Sequence, residues 1–147
     1  MEYPQIKDKI ATFFNSYEQQ MNSSLAGEED LETIVNFYTE EFIAANPTGV
    51  KTGENNDQLK EAMDKGYEYY RLIGTKEMKC QSIDIIPLDE QHAVATTHWK
   101  AVYLKEGSEV VIPFTSNYLI QFRNGEPKIF GWVTGDETRV LRDNGII

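Results

Sequence analysis

Apolar residues recur at two different spacings along this chain, and the switch between them divides it. From Pro4 to about residue 23, Ile6, Ile10, Phe13, Phe14, Tyr17 and Met21 fall at three- and four-residue steps, the period of a helix with one buried face. Pro4 suits a first helical turn, where its missing N–H would have no partner anyway. Asn22-Ser23-Ser24 and Ala26-Gly27 close the segment. Glu28, Glu29 and Asp30 open a second helix, where acids meet the positive end of the dipole. Its stripe is Leu31, Ile34, Val35, Tyr38 and Phe42. Phe42 to Ala45 can straighten into a short strand, because Asn46 precedes Pro47 and proline pushes its predecessor out of the helical region. Pro47 to Glu54 holds Gly49 and Gly53 and reads as a loop or a small edge hairpin. Asn56 or Asp57 caps a third helix, which runs to about Ile73 and stops at Gly74. Leu59, Ala62, Met63, Gly66, Tyr67 and Tyr70 form its stripe.

Beyond Gly74 the period falls to two. Thr75 to Leu88, Gln91 to Lys105, Glu109 to Arg123 and Glu126 to Asp136 read as four strands. Asp89-Glu90, Glu106-Gly107-Ser108 and Asn124-Gly125 turn the chain between them. Asn-Gly between alternating runs is a strong hairpin signal, because both turn residues must take positive φ. Residues 138–147 form a short tail with some helical character. The predicted architecture is α+β in a single domain spanning residues 1–147: three N-terminal helices packed on one face of a curved antiparallel sheet.

Turn geometry assigns the faces. Counting from Asn124-Gly125 sets Tyr118 opposite Gly131 and Asn117 opposite Trp132. Counting from Glu106-Gly107 sets Tyr118 beside Ala95 and Thr115 beside His98. One face then carries Ala93, Ala95, Thr97, Trp99, Phe114, Ser116, Tyr118, Ile120, Phe122, Ile129, Gly131 and Val133, with no charge. The other carries His98, Lys100, Lys128 and Asp136 among Val94, Leu119, Phe130 and Trp132. Burial penalises unpaired charge, so the uncharged face is expected against the helices. The apolar cluster Trp132, Phe130 and Leu119 on the other face is expected to be a homodimer contact.

Composition narrows the partners. The formal charge of −10 would be repelled by a phosphate backbone or an anionic membrane, so neither nucleic acid nor membrane is expected. The start of the chain lacks a basic and apolar leader pattern, and the expected location is cytoplasmic. Cys80 is the single cysteine and has no internal partner. Two histidines of opposite strand parity and one cysteine do not converge as metal ligands, so no metal or cofactor is expected.

Three stretches carry a resemblance. Asn46-Pro47, His92-Ala93-Val94-Ala95 followed by Trp99, and the turn Asn124-Gly125-Glu126-Pro127-Lys128-Ile129, within an order of three helices and then a curved antiparallel meander, resemble the nuclear-transport-factor-2-like fold. That fold is shared by SnoaL-like polyketide cyclases and ketosteroid isomerases. The resemblance implies a cone with a pocket between concave sheet and helices, usually in a dimer. Its members include isomerases, cyclases, dehydratases and plain binding or assembly modules, and fold does not choose among them.

Three functions follow for this chain. The first is a binding module for a small apolar or aromatic molecule, lined by Trp99, Tyr118, Phe114, Met63, Tyr67 and Tyr70, with Tyr118, Ser116 and Thr97 giving polar orientation. The second is an isomerase, cyclase or dehydratase using a pocket carboxylate as base and Tyr118 as donor. Asp84 and Asp136 are its candidate bases. Asp84 faces inward if Asp89-Glu90 is a two-residue turn. A loop one residue longer turns Ile83 and Ile85 inward instead, and burying two isoleucines is the better outcome. Asp136 reads as a rim base or, preferably, as a cap before the tail. The third is a ligand-free assembly module using the outer face.

Overall fold

The computed structural model describes residues 2–147. Its elements are α1 (Tyr3–Leu25), α2 (Leu31–Val35), β1 (Tyr38–Asn46), β2 (Gly49–Glu54), α3 (Asp57–Leu72), β3 (Thr75–Pro87), β4 (His92–Lys105), β5 (Ser108–Arg123), β6 (Glu126–Thr134) and α4 (Glu137–Asp143). The six strands form one curved sheet in the order β2-β1-β6-β5-β4-β3. All neighbours are antiparallel except β1 and β6, which run parallel. Helices cover the concave side, giving the expected α+β cone.

The sheet is larger than expected because the second helix is shorter. Tyr38 and Phe42 do not continue a helical stripe. The helix ends at Val35, and Tyr38–Asn46 becomes a strand, flanked by the edge strand β2. Thr39 and Ile43 are β-branched and favour this pleat. Thr39 Oγ1 donates to the carbonyl of Glu41 at 2.6 Å and lies 3.3 Å from that of Ile129. Asn56 caps α3, its side chain accepting from the Gln58 amide.

The β4–β5 hairpin has the expected register, with Tyr118 opposite Ala95 and Thr115 opposite His98. Both central turns hold two residues at positive φ: Glu106 at 51° and Gly107 at 80°, then Asn124 at 53° and Gly125 at 77°. The β5–β6 pair departs from expectation. Ile120 pairs with Ile129 but Leu119 pairs with Gly131, so Phe130 is an unpaired bulge residue. A bulge adds one residue to one strand and resets which way the following side chains point. Tyr118 therefore faces Trp132, not Gly131. Gly131 and Val133 move to the outer side and Trp132 moves inward. The move demands glycine at 131, since an added Cβ would lie 2.6 Å from Ile43 Cγ2 and 2.9 Å from Leu119 Cδ1.

The core sits between α1 and the concave sheet. Ile10, Phe14, Ala95, Trp99, Ile120 and Ile129 are almost fully buried. The free edge of β3 is closed by α1: Asn22 both accepts from the Met78 amide (2.8 Å) and donates to its carbonyl (2.9 Å), and Glu18 accepts from the Cys80 amide. No helix among the described residues is long and apolar enough to cross a membrane.

Candidate functional site

Helix tips do not fill the wide end of the cone, and a hollow of about 480 Å³ remains there. Its wall comes from α1 (Tyr17, Met21), α3 (Met63, Gly66, Tyr67, Tyr70), the inner faces of β5 and β6, and the start of α4. The lining is mostly apolar and aromatic, with three methionines as adaptable filler.

At the closed end three tyrosine hydroxyls meet. Tyr17 Oη lies 3.0 Å from Tyr38 Oη and 3.4 Å from Tyr118 Oη. They come from α1, β1 and β5, and all three residues are buried. Three hydroxyls carry three protons and the two contacts among them consume two, so the third is free for the Ser116 hydroxyl beside Tyr118 or for an acceptor in the hollow. Burial, reinforced by the neighbouring tyrosines, holds Tyr17 and Tyr38 well above the usual phenol range, and burial also raises Tyr118. The cluster is therefore a set of neutral donors, not a base.

At the mouth Tyr70 Oη donates to Glu137 Oε1 at 2.7 Å, joining α3 to α4. Burial and then the Glu137 charge raise Tyr70, and the same two causes push Tyr103 up to about 12. Burial raises Tyr67 as well.

The expected lining residues divide into two sets. Tyr118, Ser116, Phe114, Met63, Tyr67 and Tyr70 line the hollow. Trp99 and Thr97 do not reach it. They are buried behind the wall, where Trp99 Nε1 donates to Thr97 Oγ1 (2.7 Å) and Thr97 Oγ1 donates to the Ser116 carbonyl (2.9 Å). The Trp99 ring lies parallel to Phe114, 6.2 Å between centroids and 8° between planes. Both residues brace the lining from behind, and β4 reaches the hollow through Tyr103 instead.

Asp84 pairs with Thr96 on the outer side, while Ile83 and Ile85 face Thr97 and Ala95 within. The longer β3–β4 loop produces this, and Asp84 Oδ2 sits 2.8 Å from His98 Nε2 in solvent. Asp136 is at the rim but is a helix cap, accepting from the Arg139 amide at 3.0 Å. Trp132 belongs to the hollow and not to the outer patch: its ring stacks on Phe42 (5.1 Å, 25°) and meets Tyr38 edge-on. Leu119 and Phe130 stay outside. Trp132 and Glu137 were not among the expected site residues.

A second concavity of about 680 Å³, between α2, β1 and the β5–β6 turn, is open and polar. Its two lysines are engaged by neighbouring groups, Lys60 by Glu32 and Lys128 by the Asn36 carbonyl.

The model of the family described as NTF2-like protein (DUF6841) matches residues 7–137. The chain belongs to this family. No curated protein matches it. Among solved structures it is similar to an NTF-2 like protein of unknown function from Shewanella oneidensis MR-1, at 20% identity over 88% of this chain and 98% of that one, with a TM-score of 0.66. An NTF2-like protein with a cystatin-like fold from Novosphingobium aromaticivorans shares 12% identity over 95% and 88% of the two chains, with a TM-score of 0.67. A Catenulispora acidiphila protein in complex with S-DNPA shares 9% identity over 93% and 97%, with a TM-score of 0.66. Identities this low establish the shared fold and nothing finer.

Proposed function

We propose that this NTF2-like chain binds a small, largely apolar molecule with an aromatic body. The observation that carries the proposal is the hollow itself: about 480 Å³ of mainly aromatic and thioether lining, with a spare tyrosine donor at its closed end. Tyr118, Tyr38 and Tyr17 orient an acceptor oxygen of the ligand, Phe114, Met63, Tyr67 and Trp132 pack on its body, and Trp99 and Thr97 keep the wall in place. The similar Catenulispora acidiphila protein was solved in complex with S-DNPA. Binding is favoured over isomerase chemistry because each carboxylate near the hollow is engaged: Asp84 faces outward to His98, Asp136 is a helix cap, and Glu137 accepts from Tyr70 at the mouth.

A neutral fluorescent probe, N-phenylnaphthylamine, tests this. It should bind saturably, and Gly66→Phe should abolish binding, because Gly66 borders the hollow with nothing within 4 Å of an added Cβ. Unsaturable binding, or equal binding by a folded Gly66→Phe variant, overturns the proposal. For the outer face, our proposal keeps a homodimer through Leu119 and Phe130, joined by the exposed Val133 in place of Trp132. Light scattering of Phe130→Glu at unchanged mass would reject it.

A further inference from the structure

The hollow is electrically one-sided. Among the described residues that line it, Asp136 and Glu137 are acidic and none is lysine, arginine or histidine. Both acids sit at the mouth, at the start of α4. Asp136 is bound by a backbone amide and Glu137 by the Tyr70 hydroxyl, both neutral donors. The nearby cations point elsewhere: Arg139 lies 3.8 Å from Asp143 along α4, and Lys105 donates to the Ile146 carbonyl. Neither mouth carboxylate is neutralised by an ion pair among the described residues.

The lining suits a positive charge in a second way. Tyr67, Tyr70, Phe114 and Trp132 offer π faces, which attract ammonium groups. The influence of Glu137 also extends into the hollow, since its charge contributes to keeping Tyr70, Tyr103 and Tyr118 protonated. At a distance, the formal charge of −10 draws cations toward the chain and repels anions.

We infer that the ligand is an organic cation: an amine whose apolar or aromatic body fills the hollow and whose ammonium rests at the mouth beside Glu137. The inference depends on the hollow being a ligand site, and it adds the sign of the ligand's charge. The placement is physically economical. The mouth is open to solvent, so the ammonium keeps part of its hydration, whereas an ammonium at the closed end would meet hydroxyls that can donate as well as accept. An acceptor oxygen on the body meets the spare tyrosine proton. A carboxylate on the same body would face two like charges at the mouth.

Three probes with one naphthalene body separate the possibilities: naphthylethylamine, naphthylethanol and naphthylacetate, titrated by calorimetry at neutral pH and low salt. The amine should bind about five- to tenfold more tightly than the alcohol, from one exposed ion pair and one cation–π contact, and the acetate should be weakest. Added salt should shrink the preference. Glu137→Gln keeps an acceptor for Tyr70 and should bring the amine-to-alcohol ratio close to one. An amine no tighter than the alcohol, or a preference that survives Glu137→Gln, overturns the inference while alcohol binding leaves the ligand site standing. Binding of none of the three overturns the ligand-site reading and this inference with it.

Discussion

The β4–β5 hairpin carries similar residue types on its two faces and treats them differently. Inside, Trp99 donates to Thr97, Thr97 donates to the Ser116 carbonyl, and Tyr118 meets Tyr17, all of them buried. Outside, Thr96 donates to Asn117 Oδ1 at 2.7 Å, and His98 sits between Asp84 and Thr115 at 2.8 and 3.3 Å. The outer groups can fall back on water when a partner is lost, and the inner ones cannot. A lost inner contact therefore costs the desolvation of what remains, while a lost outer contact costs little.

Alkaline pH should break this contrast most strongly. An unfolded tyrosine ionises at about pH 10. The folded Tyr17, Tyr38 and Tyr118 resist ionisation beyond that point, and Tyr103 does so up to about 12. Below the unfolded value both states are protonated and stability is unaffected. Above it only the unfolded chain gains by ionising, so stability falls as pH rises, by about 1.4 kcal/mol per pH unit for each such tyrosine. Denaturant unfolding at a series of alkaline pH values should show the fall, and a flat profile would contradict it.

Trp99→Ala comes next. It removes the largest fully buried side chain and the backing of Phe114, at a cost of ~3–5 kcal/mol, or roughly 10 °C in Tm. Tyr17→Phe should cost about 1–3 kcal/mol in chemical denaturation, because both Tyr38 and Tyr118 lose their shared hydroxyl partner. Asp84→Asn, on the outer face of the same sheet, should change stability by about 0.5 kcal/mol or less. If Asp84→Asn cost as much as Tyr17→Phe, the contrast between the faces would fail.

Legibility in the sequence followed the same divide between local and distant causes. The β4–β5 register could be counted because its turn is two residues long and both strands are regular. Ile83 and Ile85 were placed inward by weighing their burial against that of Asp84, and the β3–β4 pairing has them there. The β5–β6 face assignment went wrong past Phe130, because nothing in Ile129-Phe130-Gly131-Trp132 marks a bulge until Ile43 is seen to occupy the space above Gly131. Leu31, Ile34, Val35, Tyr38 and Phe42 satisfy the helical period, which hides the strand at Tyr38, while Asn46-Pro47 signals it only from Phe42 onward. The parallel partner that makes Tyr38–Asn46 a strand lies far along the chain. The site was half legible for a related reason. Strand parity finds Tyr118 and Ser116, but no spacing rule joins Tyr17, Tyr38 and Tyr118, or Tyr70 and Glu137. The one usable hint of Glu137 was its place just after a strand that ends at the rim.

The parallel pairing of β1 with β6 sets an order of events at birth. A ribosome releases α1, the β1–β2 hairpin and α3 long before it has synthesised Glu126–Thr134, the strand on which that hairpin hangs. Until then the nascent hairpin has an open inner edge, Phe42 has no Trp132 to stack on, and Tyr38 waits for its neighbour Ile129. Closure of the cone thus waits for Glu126–Thr134 to be made, a long-range step that slows folding and leaves chains cut short of that strand with a sticky flank.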